Sequence, residues 1–401
     1  MDVAHDAKLD PALLALYRRK TLDVKLLRHR LRLAVPVDVF STFQVDRGTQ
    51  LLLRRMAAAG RSWPAALDLG CGYGPVCAAL AKAGIARRVD AIDRDALAVA
   101  FARHNAEDNA LPHVTPSGGI AYDGVAGRKY DAIACNLPAK AGPTVHRLLL
   151  LGAFGHLRGD GEVWIVAVEP LTDRIDQILS TAAVRLREKF PQKGHVVYGY
   201  SFARAPELPE QPYVRGRERF RWKGREYELT ALHGLGEFDS RSWATDAVLE
   251  AFVQTCRRRA IRRLVACNPG QGHLAVLARR IAPTIEDITL VSRDRIALGA
   301  SQANLRADGY GGSLRAAHTA SFRGGPADAE TDAVLAVLRE KEGLDVNVEK
   351  LCRLRAAEPT CAILAGCKSA FGSRLVQALR RRGIRAAVRR RRKGCCAVTC
   401  E

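Results

Sequence analysis

The chain has 401 residues, an apolar fraction of 48% and a formal charge of +21, enough for two domains with buried cores, or one large domain with additions. No stretch is long and apolar enough to span a membrane, and the charged start lacks a signal-peptide core. Integral membrane and secreted classes are therefore set aside, and eleven scattered cysteines read as reduced thiols of a cytoplasmic protein. The positive excess, mostly arginine, suits a polyanionic partner. It concentrates at 17–32, 215–225 and 380–393.

Residues 1–35 carry leucines and basic residues in a pattern that predicts a basic helical extension. Next, VDVFSTFQVDRGTQLLL at 37–53 predicts a strand, a loop with Phe40 and Phe43, and a helix opening near Asp46. The following stretch, LDLGCGYG at 67–74, is an apolar run with one acid that breaks into glycines at 70, 72 and 74, with Pro75 and a helical pattern behind it. That is a buried strand, a tight turn and a helix start, where backbone without Cβ atoms can approach a ligand closely. A dinucleotide cradle needs G-x-G-x-x-G, and this spacing is different.

The second strand, near 88–92, ends at Asp93. An acid there can accept both hydroxyls of a bound ribose, as acids at about this distance do in nucleotide-binding folds. Asp95 is placed to cap the helix that follows. The third strand, near 116–121, is poorly marked, and Asp123 is a weak candidate for an adenine contact. A clear buried strand at 130–135 then ends in Asn136-Leu137-Pro138-Ala139-Lys140-Ala141-Gly142. Further elements are a strand at 161–168, a helix at 170–189 and a strand at 195–201, before a proline-rich linker near 206–212.

The second half repeats the first. Shifted by 198, 67–76 falls on 265–274; shifted by 199, Arg94-Asp95 falls on Arg293-Asp294; shifted by 201, 130–142 falls on 331–343. Asp68 becomes Ala266, Gly70 becomes Asn268, Asp93 becomes Ser292, Asn136 becomes Val337 and Pro138 becomes Arg339. The apolar skeleton survives while the candidate ligands are lost. Within this half, 217–232 predicts a β-hairpin.

Asp68, Gly70, Gly72 and Gly74 match motif I of class I S-adenosylmethionine-dependent methyltransferases, [DE]-x-G-x-G-x-G. The 136–142 stretch sits where that class places motif IV, beside the transferable methyl group. Together with VFS at 39–41 and VDRGTQLLL at 45–53, these motifs make the chain similar to the methyltransferase small family, the RsmC-like rRNA guanine-N2 methyltransferases. The similarity covers 36–205 well and 225–401 loosely. It departs from the family pattern at Leu137 and Ala139, which replace a proline and an aromatic, and in domain order, since here the first copy keeps the motifs.

The resemblance implies an α/β fold of two class I methyltransferase (Rossmann-like) domains. Each would have a seven-stranded, mostly parallel sheet with helices on both faces, and the second copy would be degenerate. Expected domains are an extension at 1–35, a catalytic domain at 36–205, a linker and hairpin start at 206–224, and a degenerate RNA-binding domain at 225–401. S-adenosyl-L-methionine would be held by Asp68, Gly70, Gly72, Gly74, Asp93 and Asn136. The Asn136 amide oxygen and the carbonyl of Leu137 would accept the two hydrogens of an exocyclic amine, with Pro138 stiffening the turn. Phe40, Phe43, Ala139 and Lys140 would contact the substrate, Phe40 or Phe43 supplying the stacking ring that Ala139 lacks. The expected enzyme methylates RNA, at guanine N2 of rRNA, as a monomer without metal or membrane partners. Rival readings are a DNA adenine-N6 enzyme, a protein glutamine-N5 enzyme and a non-catalytic RNA-binding or ribosome-assembly factor.

Overall fold

The computed structural model describes residues 3–4, 9–322 and 330–400. The chain forms two compact units: Arg18–Tyr213, and a second made of the residues up to Tyr17 together with those from Val214 onward. Both have the same architecture.

The first unit's sheet runs, edge to edge, Val114–Gly118, Ala86–Asp93, Trp63–Leu69, Tyr130–Asn136, Leu157–Val168, His195–Phe202 and Val184–Gln192. The first five are parallel, and His195–Phe202 is antiparallel to both of its neighbours. The two central strands are mainly apolar, with one aspartate each (Asp68 and Asp131), because helices cover both faces, the usual consequence of βαβ crossovers. Every carboxyl end of the parallel strands therefore opens on one edge, where ligands bind in such sheets.

The second unit repeats this order with Ser313–His318, Asp287–Ser292, Arg263–Cys267, Ala333–Val337, Ala362–Lys368, Cys395–Cys400 and Ala386–Arg392. Val3–Ala4 adds an eighth strand beside Ser313–His318. Cys395, Cys396 and Cys400 thus belong to a sheet strand, and no group of three His, Cys, Asp or Glu among the described residues is arranged to hold a metal.

Three expectations need correction. Among the described residues of 1–35 only Pro11–Tyr17 is helical, and Arg18–Leu26 and His29–Pro36 pair as a hairpin rather than continuing a basic helix. Residues 1, 2 and 5–8 of that segment lie outside the described ones. The hairpin turns through Leu27 and Arg28, both at positive φ (48° and 70°), the twist that a two-residue hairpin needs. Leu31, Leu33 and Val35 alternate inward, a period of two that overrides the helical look of the leucines.

The helix expected over 170–189 covers only Thr172–Ser180, and Val184–Gln192 is an edge strand. Its charged run mimicked a helix's polar face but makes cross-element pairs instead, Lys189 with Asp176 at 2.7 Å and Arg187 with Glu162 at 2.9 Å. Third, no strand forms at 37–41; the chain turns there, with Asp38 and Ser41 at positive φ.

One buried asparagine ties each hairpin to its glycine turn. Asn105 accepts the Ala34 N–H through Oδ1 and donates Nδ2 to the carbonyls of Ala34 and Tyr73. Asn304 does the same with Thr230 and Gln271. The turn that is to meet a ligand is thereby held from behind.

Candidate active site

The glycine turn is fixed by two carboxylates. Asp68, 2% exposed, accepts the Cys77 N–H at 2.9 Å and so satisfies the first turn of helix Pro75–Lys82, whose N-cap Gly74 has no side chain to do it. Asp93 accepts the Gly72 N–H through Oδ2 and the Asp95 N–H through Oδ1, both at 2.9 Å. Asp95 caps its own helix by accepting from Leu97, so the expected division between the two acids holds for Asp95. Burial pushes Asp68 up to about 7 and Asp93 up to about 6.

The three glycines have two different jobs. All are left-handed, at φ 79°, 56° and 92°. A Cβ on Gly74 would come within 3.2 Å of the Ala102 backbone, so that glycine lets two helices pack. A Cβ on Gly70 or Gly72 would meet nothing within 4 Å. These two line an open cradle at the carboxyl edge of the sheet, which fits a ligand held against bare backbone.

The 136–142 turn stands beside this cradle, since Tyr130–Asn136 neighbours Trp63–Leu69. Asn136 Nδ2 donates to Asp46 Oδ2 and Thr49 Oγ1, both at 3.0 Å. A carboxylate can only accept, so this contact fixes which end of the amide is NH₂. No donor among the described residues meets Oδ1. Asp46 is simultaneously the N-cap of helix Arg47–Ala58, accepting from Thr49. Sequence reasoning placed Asp46 only at a helix start and gave Thr49 no role; their pairing with Asn136 spans about 90 residues and has no local signal.

Leu137 is core, 3% exposed, with its N–H bound to the Val166 carbonyl, so it can serve the site only through backbone. The Pro138 carbonyl is held by His146 Nε2 at 2.9 Å, and burial pulls that imidazole below its usual range. Pro138, Ala139 and Lys140 are exposed at the turn's apex. Phe40 and Phe43 are 71% and 65% exposed on the 37–46 loop. That loop is tied to the glycine turn where the Tyr73 hydroxyl donates to the Ser41 carbonyl at 3.4 Å. The Arg19 guanidinium lies 4.0 Å over the Phe43 ring. Asp123 is spent locally, accepting the Ile120 N–H.

The corresponding region of the second unit is filled by the chain itself. Ser292 Oγ, in place of the Asp93 carboxylate, accepts the Asp294 N–H, and Asn268, in place of Gly70, turns its amide onto the Val337 carbonyl. Arg293, 2% exposed, donates to Glu342 at 3.0 Å, and Lys350 approaches the other Glu342 oxygen at 2.6 Å. Arg293 follows the strand on one side of Arg263–Cys267 and Glu342 follows the strand on the other, so their bridge spans the carboxyl end of the middle strand. Tyr17, fully buried, donates to the Ala320 carbonyl at 2.9 Å in the loop after the third strand, with Lys350 Nζ 5.2 Å from its ring.

Comparison with known proteins places the fold in a family. The methyltransferase small domain family matches residues 30–198. Over 150 residues the chain is 31% identical to the uncharacterized protein YbxB of Bacillus subtilis, 35% of this chain and 74% of that protein. It is 33% identical over 152 residues to ribosomal RNA small subunit methyltransferase C of Sodalis glossinidius, 36% of this chain but 42% of that protein. Its counterpart in Acinetobacter baumannii is also 33% identical, over 37% of this chain and 45% of the relative. The match thus spans under half the length of these ribosomal RNA enzymes. The 16S rRNA guanine-N2 methyltransferase RsmC of Thermus thermophilus, solved with AdoMet and guanosine, superposes with a TM-score of 0.67 over 96% of this chain and 98% of that one. At 17% identity this shows a shared two-domain fold.

Proposed function

The chain belongs to the methyltransferase small domain family, whose cofactor is S-adenosylmethionine, and from that premise we propose that residues 18–213 methylate an exocyclic amine in RNA, guanine N2 of ribosomal RNA, while the second unit binds the RNA. The observation that carries this reading is the orientation of Asn136. Its NH₂ is committed to Asp46 and Thr49, so Oδ1 is the group presented to a substrate. An oxygen acceptor beside the cofactor cradle suits an amine, and the following Leu137 carbonyl offers a second acceptor for its other hydrogen.

The bound cofactor supplies an electrophilic methyl group. Gly70, Gly72 and Asp93 would hold that cofactor, and the chain's part would be to aim the amine lone pair at its methyl group through Asn136 Oδ1 and the Leu137 carbonyl. The amine proton then leaves to an acceptor or water. Proximity and orientation supply most of the rate in such a site. Phe40 and Phe43, exposed beside the cradle, offer rings for the flipped base. Reduced thiols and the lack of any helix long and apolar enough to cross a membrane among the described residues suit a cytosolic setting.

Transfer of labelled methyl groups to pools of RNA, DNA and protein, with Asn136→Ala as the control, tests the reading. Label in RNA at guanine N2, lost in the variant, is the expected result. Label in DNA or protein alone rejects the RNA substrate, and no transfer with intact RNA binding favours a non-catalytic assembly factor.

Calorimetric titration should find one S-adenosylmethionine per chain, because Tyr17 and the Arg293–Glu342–Lys350 group fill the second site. The ionised forms of Asp68 and Asp93 are the acceptors, and both titrate upward of the usual range. Affinity should therefore fall as pH drops from about 8 through the 7-to-6 window, by up to about tenfold for each unit below the pKa of the controlling group. Two binding sites, or affinity that rises on acidification, would contradict this.

A further inference from the structure

One of the two acceptors offered to the amine is a backbone group, the Leu137 carbonyl, and its peptide has no N–H for the fold to anchor, because the nitrogen belongs to Pro138. The peptides on either side are anchored instead. Before it, the Leu137 N–H donates to the Val166 carbonyl of the neighbouring strand at 2.8 Å. After it, the Pro138 carbonyl accepts from His146 Nε2 at 2.9 Å and from the Ala141 N–H at 3.2 Å. Ala141 lies in the same turn and moves with it, whereas His146 is fully buried in helix Pro143–Leu151, which packs Leu150 and Leu151 into the core. Resting on the RNA methyltransfer reading above, we propose that His146 is a positioning residue: its Nε2–H holds the Pro138 carbonyl and so aims the Leu137 carbonyl at the substrate amine.

The surroundings of the imidazole fix its form. A carbonyl can only accept, so Nε2 carries the proton. On the other side Arg174 Nη1 lies 3.5 Å from Nδ1. A guanidinium can only donate, so Nδ1 keeps its lone pair. A second proton would set an imidazolium beside that guanidinium. Burial, with Arg174 acting in the same direction, pulls the ring below its usual range, although the Pro138 carbonyl favours the charged form. His146 is thus a neutral donor of one tautomer. Both of its nitrogens are engaged, so its part is to hold the turn and not to take the proton that the amine releases.

The second copy shows that the clamp needs a donor rather than an imidazole. At the shift of 201 His146 falls on Asn347. The Asn347 Nδ2 donates to the Arg339 carbonyl at 3.2 Å, the counterpart of the Pro138 carbonyl, and to the Gly343 carbonyl at 2.7 Å. The preceding anchor is kept too, with the Leu338 N–H donating to the Gly366 carbonyl at 2.9 Å. The clamp therefore shapes the turn in both copies. It bears on the reaction in the first, where proline strips the intervening peptide of its N–H and Asn136 stands beside it.

The test is steady-state methyl transfer to RNA at saturating S-adenosylmethionine. His146→Leu fills the space without a donor, and His146→Gln places an amide N–H near the position of the imidazole Nε2. His146→Leu should lose about 10²-fold in kcat, the effect of a misplacement of about 1 Å, with KM for RNA and calorimetric cofactor affinity within about twofold. His146→Gln should recover most of that loss. In the unaltered chain, nitrogen NMR of isotope-labelled histidine should show the ring that His146→Gln removes in the Nε2–H form, titrating below the ordinary imidazole value of about 6.5.

Unchanged kcat in His146→Leu, or a loss confined to KM, overturns the positioning role. A His146→Gln variant as slow as His146→Leu overturns it as well and marks the imidazole as a proton carrier. A proton on Nδ1 in place of Nε2 overturns it even where the leucine variant fails to fold. No transfer to RNA by the unaltered chain removes the methyltransfer reading itself, and this role with it; transfer at equal rates by the unaltered chain and both variants removes the role alone.

Discussion

Asn136→Ala should lower methyl transfer by about 10²–10³-fold, the loss that follows removal of one preorganised polar group from a reacting centre, with the cofactor still bound. Asn136→Asp is the sharper test. Asn136 Nδ2 lies 3.0 Å from Asp46 Oδ2, so this change sets two carboxylates face to face. At that range two like charges repel by about 4 kcal/mol or more near a protein surface, and one of them takes up a proton well above the usual carboxylate range. Transfer by Asn136→Asp should therefore be weak at pH 8 and recover as the pH falls, because the shared proton restores the hydrogen bond and leaves one oxygen as acceptor. The unaltered enzyme should run the other way, losing cofactor affinity on acidification. Adding Asp46→Asn to Asn136→Asp re-creates the pair with donor and acceptor exchanged. Asparagine caps a helix as well as aspartate, so the double variant should regain activity at pH 8. Equal activity of single and double variants across the pH range would show that Asp46 does not orient Asn136.

Much of this site could be read in the chain, and the limit was distance in sequence. Asp68, Gly70, Gly72 and Asp93 lie within 26 residues on consecutive elements, so strand–turn–strand periodicity was enough to set them around one edge. Asp46 and Thr49 could be seen as a helix start but not as partners of Asn136, because a contact between strand ends depends on sheet order. The misread hairpin at 18–36 had a different cause. Its turn, Leu27-Arg28, carries none of the glycine or asparagine that usually marks a positive-φ pair. The repeat held the answer: the hairpin at 214–232 turns at Lys223-Gly224, and the same turn lies 196 residues earlier. The loss of ligands in the second copy was visible residue by residue. What replaces them was not, since Tyr17, Arg293 and the Glu342–Lys350 stretch come from three separate segments.

Those replacements make Glu342 the residue on which the second unit's stability should depend most. It is 2% exposed and joined to two buried cations, Arg293 and Lys350. Burial alone would push its carboxyl up, but Lys350 and Arg293 outweigh burial and hold it below the ordinary value of 4.5. Glu342→Gln keeps the shape and removes the carboxylate that the buried Arg293 and Lys350 share. Breaking such a group from one side costs about 3–5 kcal/mol, read as an earlier urea transition of the second unit with the first unit's cofactor titration unchanged. A depressed carboxyl stabilises the fold above its unfolded pKa and ceases to do so as pH falls through its folded value. The gap between Glu342→Gln and the unaltered chain should therefore be full near neutral pH and narrow below about 4.5. Replacing all three together, Arg293→Met, Glu342→Leu and Lys350→Met, removes the desolvation cost along with the attraction and should come out near neutral or more stable. That outcome separates a costly ionic plug from simple loss of packing: a triple variant as unstable as Glu342→Gln would assign the closed second site to packing around Tyr17 rather than to its charges.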